Sequence, residues 1–196
     1  YTAGVGGGVY MTGGRIRLSN ISSNEINGWR CQQGGGLFLS GGTAECCRVV
    51  HNNAAGDAVH GDPGRPTGGG GIRMTGGRVE GCLVEGNRLR STTGSDTGGA
   101  RGGGGVSMEG GVLVNCTVVG NAAEGLQPGG GIKAFGGTIQ NCIVWSNMCV
   151  AAGTNLAGAA TYSCAPGLVA GDGNIASDPR VVKPGSGYGL GHVPGN

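Results

Sequence analysis

The sequence predicts an all-β solenoid, a β-helix in which successive turns of the chain stack on one another. A 19-residue unit occurs five times, beginning at Gly6, Gly34, Gly69, Gly103 and Gly129. These starts lie 28, 35, 34 and 26 residues apart, so the unit keeps its length while the spacer behind it varies. A fixed unit with a variable spacer is typical of solenoid repeats whose loops leave one corner of the stack.

Each unit contains the elements of one turn. Three glycines open it, two apolar residues such as Val9 and Met11 follow at alternating positions, and a Gly-Gly pair comes next. The period of two predicts a short strand with one face inward. Glycine suits the bend because it adopts positive φ without steric cost. Further apolar positions, Ile16 and Ile21 in the first unit, predict a second strand before the asparagine that closes the unit.

Composition supports one solenoid domain. Glycine accounts for 49 of the 196 residues, yet there is no Gly-X-Y period and only 7 prolines occur, which excludes collagen. Fixed glycine offsets between apolar strands also argue against a flexible low-complexity chain. We therefore expect a single β-helix domain over 1–196, with regular coils over 6–147 and degenerate C-terminal coils and a tail over 148–196.

Charge and hydrophobicity narrow the range of partners. The net charge is +2 without a basic cluster, so no nucleic-acid partner is expected. No apolar run approaches the roughly 20 residues of a membrane helix, so no membrane insertion is expected either. The chain begins with Tyr1 rather than Met and shows no signal peptide, which suggests a mature or excised segment.

Stacking places equivalent residues about 4.8 Å apart, so each repeated position becomes a ladder. The closing position of the unit gives an asparagine ladder: Asn24, Asn52, Asn87, Asn121 and Asn147. Asparagine tolerates left-handed backbone, and its amide can bond to the coils above and below. We interpret this ladder as a structural corner; the functional alternative is a row of ligand-binding amides.

A second ladder contains cysteine. The fourteenth position of the unit gives Ser19, Cys47, Cys82, Cys116 and Cys142. Because Tyr-Ser-Cys ending at Cys164 resembles Gln-Asn-Cys ending at Cys142, we predict that this cysteine ladder extends to Cys164 as buried, unpaired thiols. Disulfides and a metal are the alternatives, although parallel inward thiols seldom have disulfide geometry and no zinc spacing appears. Three cysteines lie off the ladder and are candidates for disulfides within or between chains: Cys31, Cys46 and Cys149.

The repeats resemble those of a known class of proteins. Asn-Cys-Thr-Val-Val at 115–119, Asn-Cys-Ile-Val-Trp at 141–145 and the tail from Ala160 resemble the right-handed parallel β-helix repeats of large secreted and cell-surface bacterial proteins. They resemble the repeats of polymorphic outer-membrane proteins more loosely. The resemblance implies a right-handed parallel β-helix of five regular coils plus one or two degenerate C-terminal coils, at a secreted or cell-surface location. It singles out no function, because such repeats occur in lyases, adhesins and uncharacterised surface proteins alike.

No catalytic set emerges from the sequence. Lyases with this fold need calcium-binding acidic residues and a basic residue on one face, and hydrolases need paired carboxylates. Glu45 and Glu80 are predicted neighbours, which a solvated charged face explains. One spacer carries Asp57, His60 and Asp62, a potential metal set that an ordinary polar loop also explains. We expect no cofactor; calcium could be accommodated but has no support in the sequence.

The spacers are the remaining candidates for a binding surface. They span 25–33, 53–68, 88–102 and 122–128, and all leave the same corner. Loops on one face of a solenoid are its usual binding surface, so a carbohydrate or a neighbouring subunit is the expected ligand. The aromatic and basic candidates there are Trp29, Arg30, Arg65, Arg88, Arg90 and Arg101.

The ends of the predicted solenoid suggest a function. A β-helix exposes strand edges and its apolar interior at each terminus unless these are capped, and no capping helix is apparent. End contacts that do not close yield filaments. We therefore expect an extracellular structural protein without catalytic activity, a fibre-forming or self-stacking subunit whose partners are other copies. The alternatives are an adhesin or glycan-binding module that binds polysaccharide, and a polysaccharide lyase or hydrolase of the β-helix type.

Overall fold

The computed structural model describes residues 6–28, 34–56, 68–91, 102–124, 129–149, 155–168 and 172–180. Five regular coils contribute four short strands each. The first coil has β1 (Val9–Met11), β2 (Arg15–Arg17), β3 (Asn20–Ser22) and β4 (Glu25–Gly28). The second has β5 (Leu37–Leu39), β6 (Thr43–Glu45), β7 (Arg48–Val50) and β8 (Asn53–Gly56). The third has β9 (Ile72–Met74), β10 (Arg78–Glu80), β11 (Leu83–Glu85) and β12 (Arg88–Ser91). The fourth has β13 (Val106–Met108), β14 (Val112–Val114), β15 (Thr117–Val119) and β16 (Ala122–Ala123). The fifth has β17 (Ile132–Ala134), β18 (Thr138–Gln140), β19 (Ile143–Trp145) and β20 (Met148–Cys149), and β21 (Leu156–Ala157) follows.

The strands form four parallel sheets along the stack. The first sheet has the order β1-β5-β9-β13-β17-β21, and the second has β2-β6-β10-β14-β18. The third has β3-β7-β11-β15-β19, and the fourth has β4-β8-β12-β16-β20. Each strand pairs with its counterpart one coil away, as Val9 does with Leu37 and Leu37 with Ile72. This topology confirms the predicted parallel β-helix.

Each coil contains more strands than the sequence predicted. The unit holds three strands instead of two, and the spacer begins with a fourth. The extra corners arise where a single residue takes left-handed backbone, with φ of 51° at Leu18 and 56° at Ser23. Such corners carry no glycine signal in several coils, so apolar spacing alone does not reveal them. The predicted spacer boundaries are wrong as a result, since Arg88–Ser91, for example, is a strand of the fourth sheet.

Aliphatic side chains fill the interior in thin layers. Leu37, Ile72 and Val106 on the first sheet are fully buried, and the inward residues of the second and third sheets pack against them. Burying one such side chain contributes about 1.5–3 kcal/mol. A smaller cluster of Ala54, Leu89 and Ala123 belongs to the fourth sheet. The core therefore forms without aromatic residues, as the composition suggested.

The outer face of the first sheet is partly buried, which simple alternation does not predict. Phe38 stacks on Tyr10 with 5.1 Å between ring centroids. The next residue along the sheet, Arg73, is 1% exposed, and its Nη1 donates to Oγ of Ser107 at 2.7 Å. Its guanidinium also pairs with Glu109. A buried charge needs such partners, so this face carries a packed polar layer.

Three sheets continue beyond the fifth coil at the C-terminal end of the stack. β21 pairs with β17, and beyond it the pairing falls to single bridges of Gln140 with Thr161, Ile143 with Cys164, and Cys164 with Ile175. These contacts continue three of the four sheets beyond the fifth coil. At the other end of the stack, β1–β4 lie at the edges of their sheets within the described residues.

The third glycine of each unit makes room for the asparagine ladder. A Cβ built on Gly71 would lie 2.8 Å from Cγ and Nδ2 of Asn87, and one on Gly36 would lie 2.7 Å from Nδ2 of Asn52. Both distances are far below van der Waals contact. Glycine is required here because the asparagine side chain approaches the backbone so closely.

Substitution of Gly71 tests this requirement. We expect Gly71→Ala to lower the free energy of unfolding by at least about 2 kcal/mol, because the added methyl group displaces Asn87 or separates the coils. A Cβ at Gly13 meets nothing within 4 Å, so Gly13→Ala is the matched control. We expect Gly13→Ala to be neutral or stabilising by up to about 1 kcal/mol. Equal denaturation midpoints for the two variants would contradict the close-approach argument.

Candidate functional site

Two corners of each coil share one construction. A residue with positive φ turns the chain, and the residue after it directs a hydrogen-bonding side chain into the stack. In the second coil, φ is 50° at Cys46 ahead of Cys47, and 54° at His51 ahead of Asn52. The ladder asparagines do not themselves take left-handed backbone, which corrects the reason given for them from the sequence. The residue before each ladder asparagine takes the left-handed backbone conformation, and the side-chain amide of the asparagine is then free to bond between coils.

The asparagine ladder is hydrogen-bonded from coil to coil. Oδ1 of Asn87 accepts the backbone N–H of Asn52 at 2.9 Å and also its Nδ2–H at 2.9 Å. Nδ2 of Asn87 donates in turn to Oδ1 of Asn121 and to a carbonyl of the preceding coil. The same bonds connect Asn24 to Asn52 and Asn121 to Asn147. The predicted hydrogen bonding of the asparagines is confirmed, and it uses both amide atoms.

A sixth asparagine, Asn155, extends the ladder. Its Oδ1 accepts the backbone N–H of Asn147 at 2.7 Å and the side-chain N–H at 3.0 Å. Only eight residues separate the two, so the repeat spacing gives no sign of this position. The backbone carbonyl of Asn155 also accepts the N–H groups of Gly131 and Ile132. Asn155 therefore lies one coil beyond Gly131, at the position of the third glycine, and supplies the amide acceptor for Asn147 from there.

Removal of one ladder amide tests its contribution. Asn87→Ala deprives two buried donors on Asn52 of their acceptor, so we expect the free energy of unfolding to fall by about 3–5 kcal/mol. Asn20 points outward and is exposed, and Asn20→Ala is the matched control, with an expected change below about 0.5 kcal/mol. Urea denaturation measures both. A loss below about 1 kcal/mol for Asn87→Ala would show that the ladder amides do not hold the coils together.

The cysteine ladder lies at the other corner. The backbone N–H of Cys47 donates to Sγ of Cys82 at 3.3 Å, and that of Cys82 donates to Sγ of Cys116 at 3.4 Å. The Cys82 thiol also donates to the carbonyl two residues earlier. These three thiols and that of Cys142 are unpaired and buried. Sulfur therefore makes the inter-coil bonds that the amide makes at the next corner.

Cys164 does not extend this ladder, contrary to the prediction from the sequence. Ser163 takes the position, because its Oγ accepts the N–H of Cys142 at 3.1 Å and donates to the carbonyl two residues earlier. The N–H of Ser163 donates to Oδ1 of Asn174, which adds a further rung. The left-handed residue is Tyr162, with φ of 49°, so the corner falls one residue earlier than the Tyr-Ser-Cys alignment implied.

The ladder thiols are chemically protected. Burial raises the pKa of Cys47. Hydrogen bonds with Cys142 and Cys82, followed by burial, raise the pKa of Cys116. A hydrogen bond with Cys116 lowers the pKa of Cys82 to about 7 and also lowers the pKa of Cys142. The thiolate is the reactive form of cysteine, so these two thiols are protected by their burial, which keeps reagents away from the sulfur atoms, and not by their pKa. Cys46 differs because its thiol is exposed at the outside of the corner.

Alkylation distinguishes these two environments. We expect iodoacetamide to modify Cys46 in the native protein while Cys82, Cys116 and Cys142 stay unmodified until guanidinium unfolds the chain. Peptide mass spectrometry identifies the modified residues, and Cys46→Ser provides the control for the exposed site. Native-state modification of Cys82 or Cys116 at the rate of Cys46 would contradict the buried ladder.

The other candidate cysteines occupy separate places. Cys46 points away from the stack. Cys149 lies opposite Ala123 on the fourth sheet, where it is partly buried against the small cluster of that sheet. Cys31 lies outside the described residues. The structure therefore does not bring Cys46 and Cys149 to the same corner.

Two of the six candidate binding residues lie on a strand and are engaged in ion pairs. Arg88 and Arg90 belong to β12, and both approach Glu124, with 3.7 Å between Nε of Arg90 and Oε2. Burial, followed by the charge of Arg90, lowers the pKa of Arg88. Glu124 compensates these charges, which makes the pair a poor anion site. Several sequence candidates lie outside the described residues: Trp29, Arg30, Arg65, Arg101, Asp57, His60 and Asp62.

Glu45 and Glu80 are adjacent on the second sheet, as predicted. Glu45 pairs with Arg15, and Glu80 accepts from Nε of Arg78 at 2.7 Å. The hydrogen bond from Arg78 lowers the pKa of Glu80. Both carboxylates are thus held in ion pairs on an outer face, and the lowered pKa of Glu80 does not suit a general acid at neutral pH.

Over the described ranges, no group of three or more His, Cys, Asp or Glu side chains is placed to hold a metal ion. Those ranges also contain no helix with the length and hydrophobicity to cross a bilayer. Among known proteins, no family model matches the chain, and neither curated proteins nor solved structures give a match.

A cleft of about 610 Å³ lies beside the cysteine corner at the C-terminal end. Three parts of the chain line it: the outward corner residues Asn115, Asn141 and Tyr162, the third sheet at Thr117 and Ile143, and the tail between 175 and 179. The size is that of small-ligand pockets. The cleft could not be inferred from the spacing of the repeats, because the tail lacks the repeated unit that would predict its register on the stack.

Proposed function

We propose that this chain is an extracellular structural protein, a β-helix segment that associates with other copies through the face of its first coil. The edge strands β1–β4 carry this proposal. Within the described residues, each of them pairs with the second coil and lies at the edge of its sheet. Edge strands offer main-chain donors and acceptors for further strand pairing.

Apolar side chains of the first coil are partly exposed at the same face. Val9 and Ile16 are only partly buried, whereas Leu37 and Ala44, their partners one coil further on, are fully buried. Another coil in the same register would remove this apolar surface from water and would extend all four sheets. It would also continue the asparagine ladder at Asn24. Hydrophobic burial and hydrogen bonding thus favour the same partner, a second β-coil.

The secreted or cell-surface location belongs to the same proposal. The resemblance of the Asn-Cys repeats to those of bacterial surface β-helix proteins supports it. A structural role is also favoured by the regular ladders, whose buried amides and thiols bond from coil to coil and make the stack a continuous hydrogen-bonded rod. A rod of this kind can act as a rigid spacer, a role that requires no mobile part.

Sedimentation velocity over a concentration series tests the association. We expect the chain to associate with rising concentration and Ile16→Lys to remain monomeric, because the lysine places a charge in the open interior. Thr138→Lys adds the same charge at an exposed position of β18 and should associate like the parent chain. Circular dichroism establishes that each variant is folded, and electron microscopy separates closed pairs from filaments. A parent chain that stays monomeric, or a folded Ile16→Lys variant that associates normally, would overturn the proposal.

A further inference from the structure

We propose that the C-terminal cleft binds a neutral saccharide of one to three residues. This site is separate from the first-coil face, so its function does not depend on association between copies. The cleft combines an exposed aromatic ring, amide and hydroxyl groups and one carboxylate. Sugars present apolar C–H faces and many hydroxyl groups, and a site with these components matches both.

Tyr162 supplies a fixed aromatic surface. Its side chain is 61% exposed, and its backbone N–H donates to the carbonyl of Asp172 at 2.7 Å. A Cβ on Gly173 would lie 2.4 Å from Cδ1 of Tyr162, so the ring rests directly on backbone that carries no side chain. Such support limits the motion of the ring and reduces the entropy lost on binding. The exposed part of the ring remains available for the apolar face of a sugar.

Asn141 supplies an oriented acceptor. Its Nδ2 donates to Oδ1 of Asn115 at 2.7 Å, which fixes the direction of the amide. Asn115 is itself hydrogen-bonded to Glu80, so its orientation is also determined. No described residue donates to Oδ1 of Asn141, which leaves this atom for a ligand hydroxyl. Thr117, one position beyond the cysteine ladder on the neighbouring strand, adds a hydroxyl group to the lining.

Asp178 makes the site selective for neutral ligands. One of its oxygens accepts the backbone N–H of Arg180 at 2.8 Å, which holds the carboxylate in the tail. Asp178 is the sole charged residue in the described lining. Its charge contributes, after burial, to raising the pKa of Cys164 in the same lining. A carboxylate binds sugar hydroxyl groups strongly, whereas it repels uronates, sulfates and phosphates.

Saturation-transfer difference NMR and calorimetry test the proposal with defined probes. The neutral probes are cellotriose, maltotriose and triacetylchitotriose, and trigalacturonate is the acidic comparison. We expect at least one neutral probe to bind with contacts to its ring protons, and trigalacturonate to bind at least tenfold more weakly. Binding of none of the neutral probes at millimolar concentration, or equal binding of trigalacturonate, would overturn the proposal.

Variants locate the binding in the cleft. Tyr162→Ala removes the ring, and Asp178→Asn removes the charge, so we expect each to weaken binding of the neutral probe at least tenfold. Tyr162→Phe keeps the ring and should retain most of the affinity, which guards against misfolding as the cause of a loss. Thr138→Ala changes an exposed residue outside the lining and should leave affinity unchanged. Unchanged affinity in both Tyr162→Ala and Asp178→Asn would place the sugar elsewhere and refute the site.

Discussion

The stack depends on one shared acceptor, the Oδ1 atom of each ladder asparagine. That atom receives two N–H groups from the asparagine of the preceding coil, one from the backbone and one from the side chain. Because both donors belong to the equivalent residue, a slip by one residue would break both bonds. The register of four sheets is therefore determined at one corner. The third glycine of the unit makes this possible, because any side chain there would collide with the ladder asparagine.

This arrangement explains why the spacers vary without disturbing the fold. In the five regular coils, successive ladder asparagines are separated by 26 to 35 residues, yet the strand pairings stay in the same register. Loop-closure entropy rises slowly with length, so a longer spacer costs little once the corner is closed. The 19-residue unit, and not the spacer, contains the residues that determine the fold. For this reason the unit repeats recognisably in the sequence while the spacers vary.

The predictions from the sequence are correct where the repeat is strict. They are wrong where the backbone geometry of a corner determines which residue occupies a ladder position. The inward aliphatic positions and the asparagine ladder follow from spacing alone, as at Asn87. The position of Ser163 does not, because it is determined by the left-handed backbone of Tyr162 and not by the identity of the neighbouring cysteine. Ser19 occupies the cysteine-ladder position of the first unit, so the sequence already showed that serine can replace cysteine there. Its Oγ donates to the carbonyl two residues earlier, as the ladder thiols do.

The cleft forms where the regular pattern ends, and this has a physical reason. In the regular coils a corner side chain can bond to side chains of both neighbouring coils, as Asn115 does with Glu80 and Asn141. Beyond Tyr162 the equivalent corner residue is Gly173, which has no side chain, and the tail stacks on this corner through a single bridge between Cys164 and Ile175. Polar groups that the repeat would satisfy are consequently left facing a concave surface. Binding capacity in this solenoid is therefore expected at departures from the repeat, because the repeat itself consumes its own hydrogen-bonding groups.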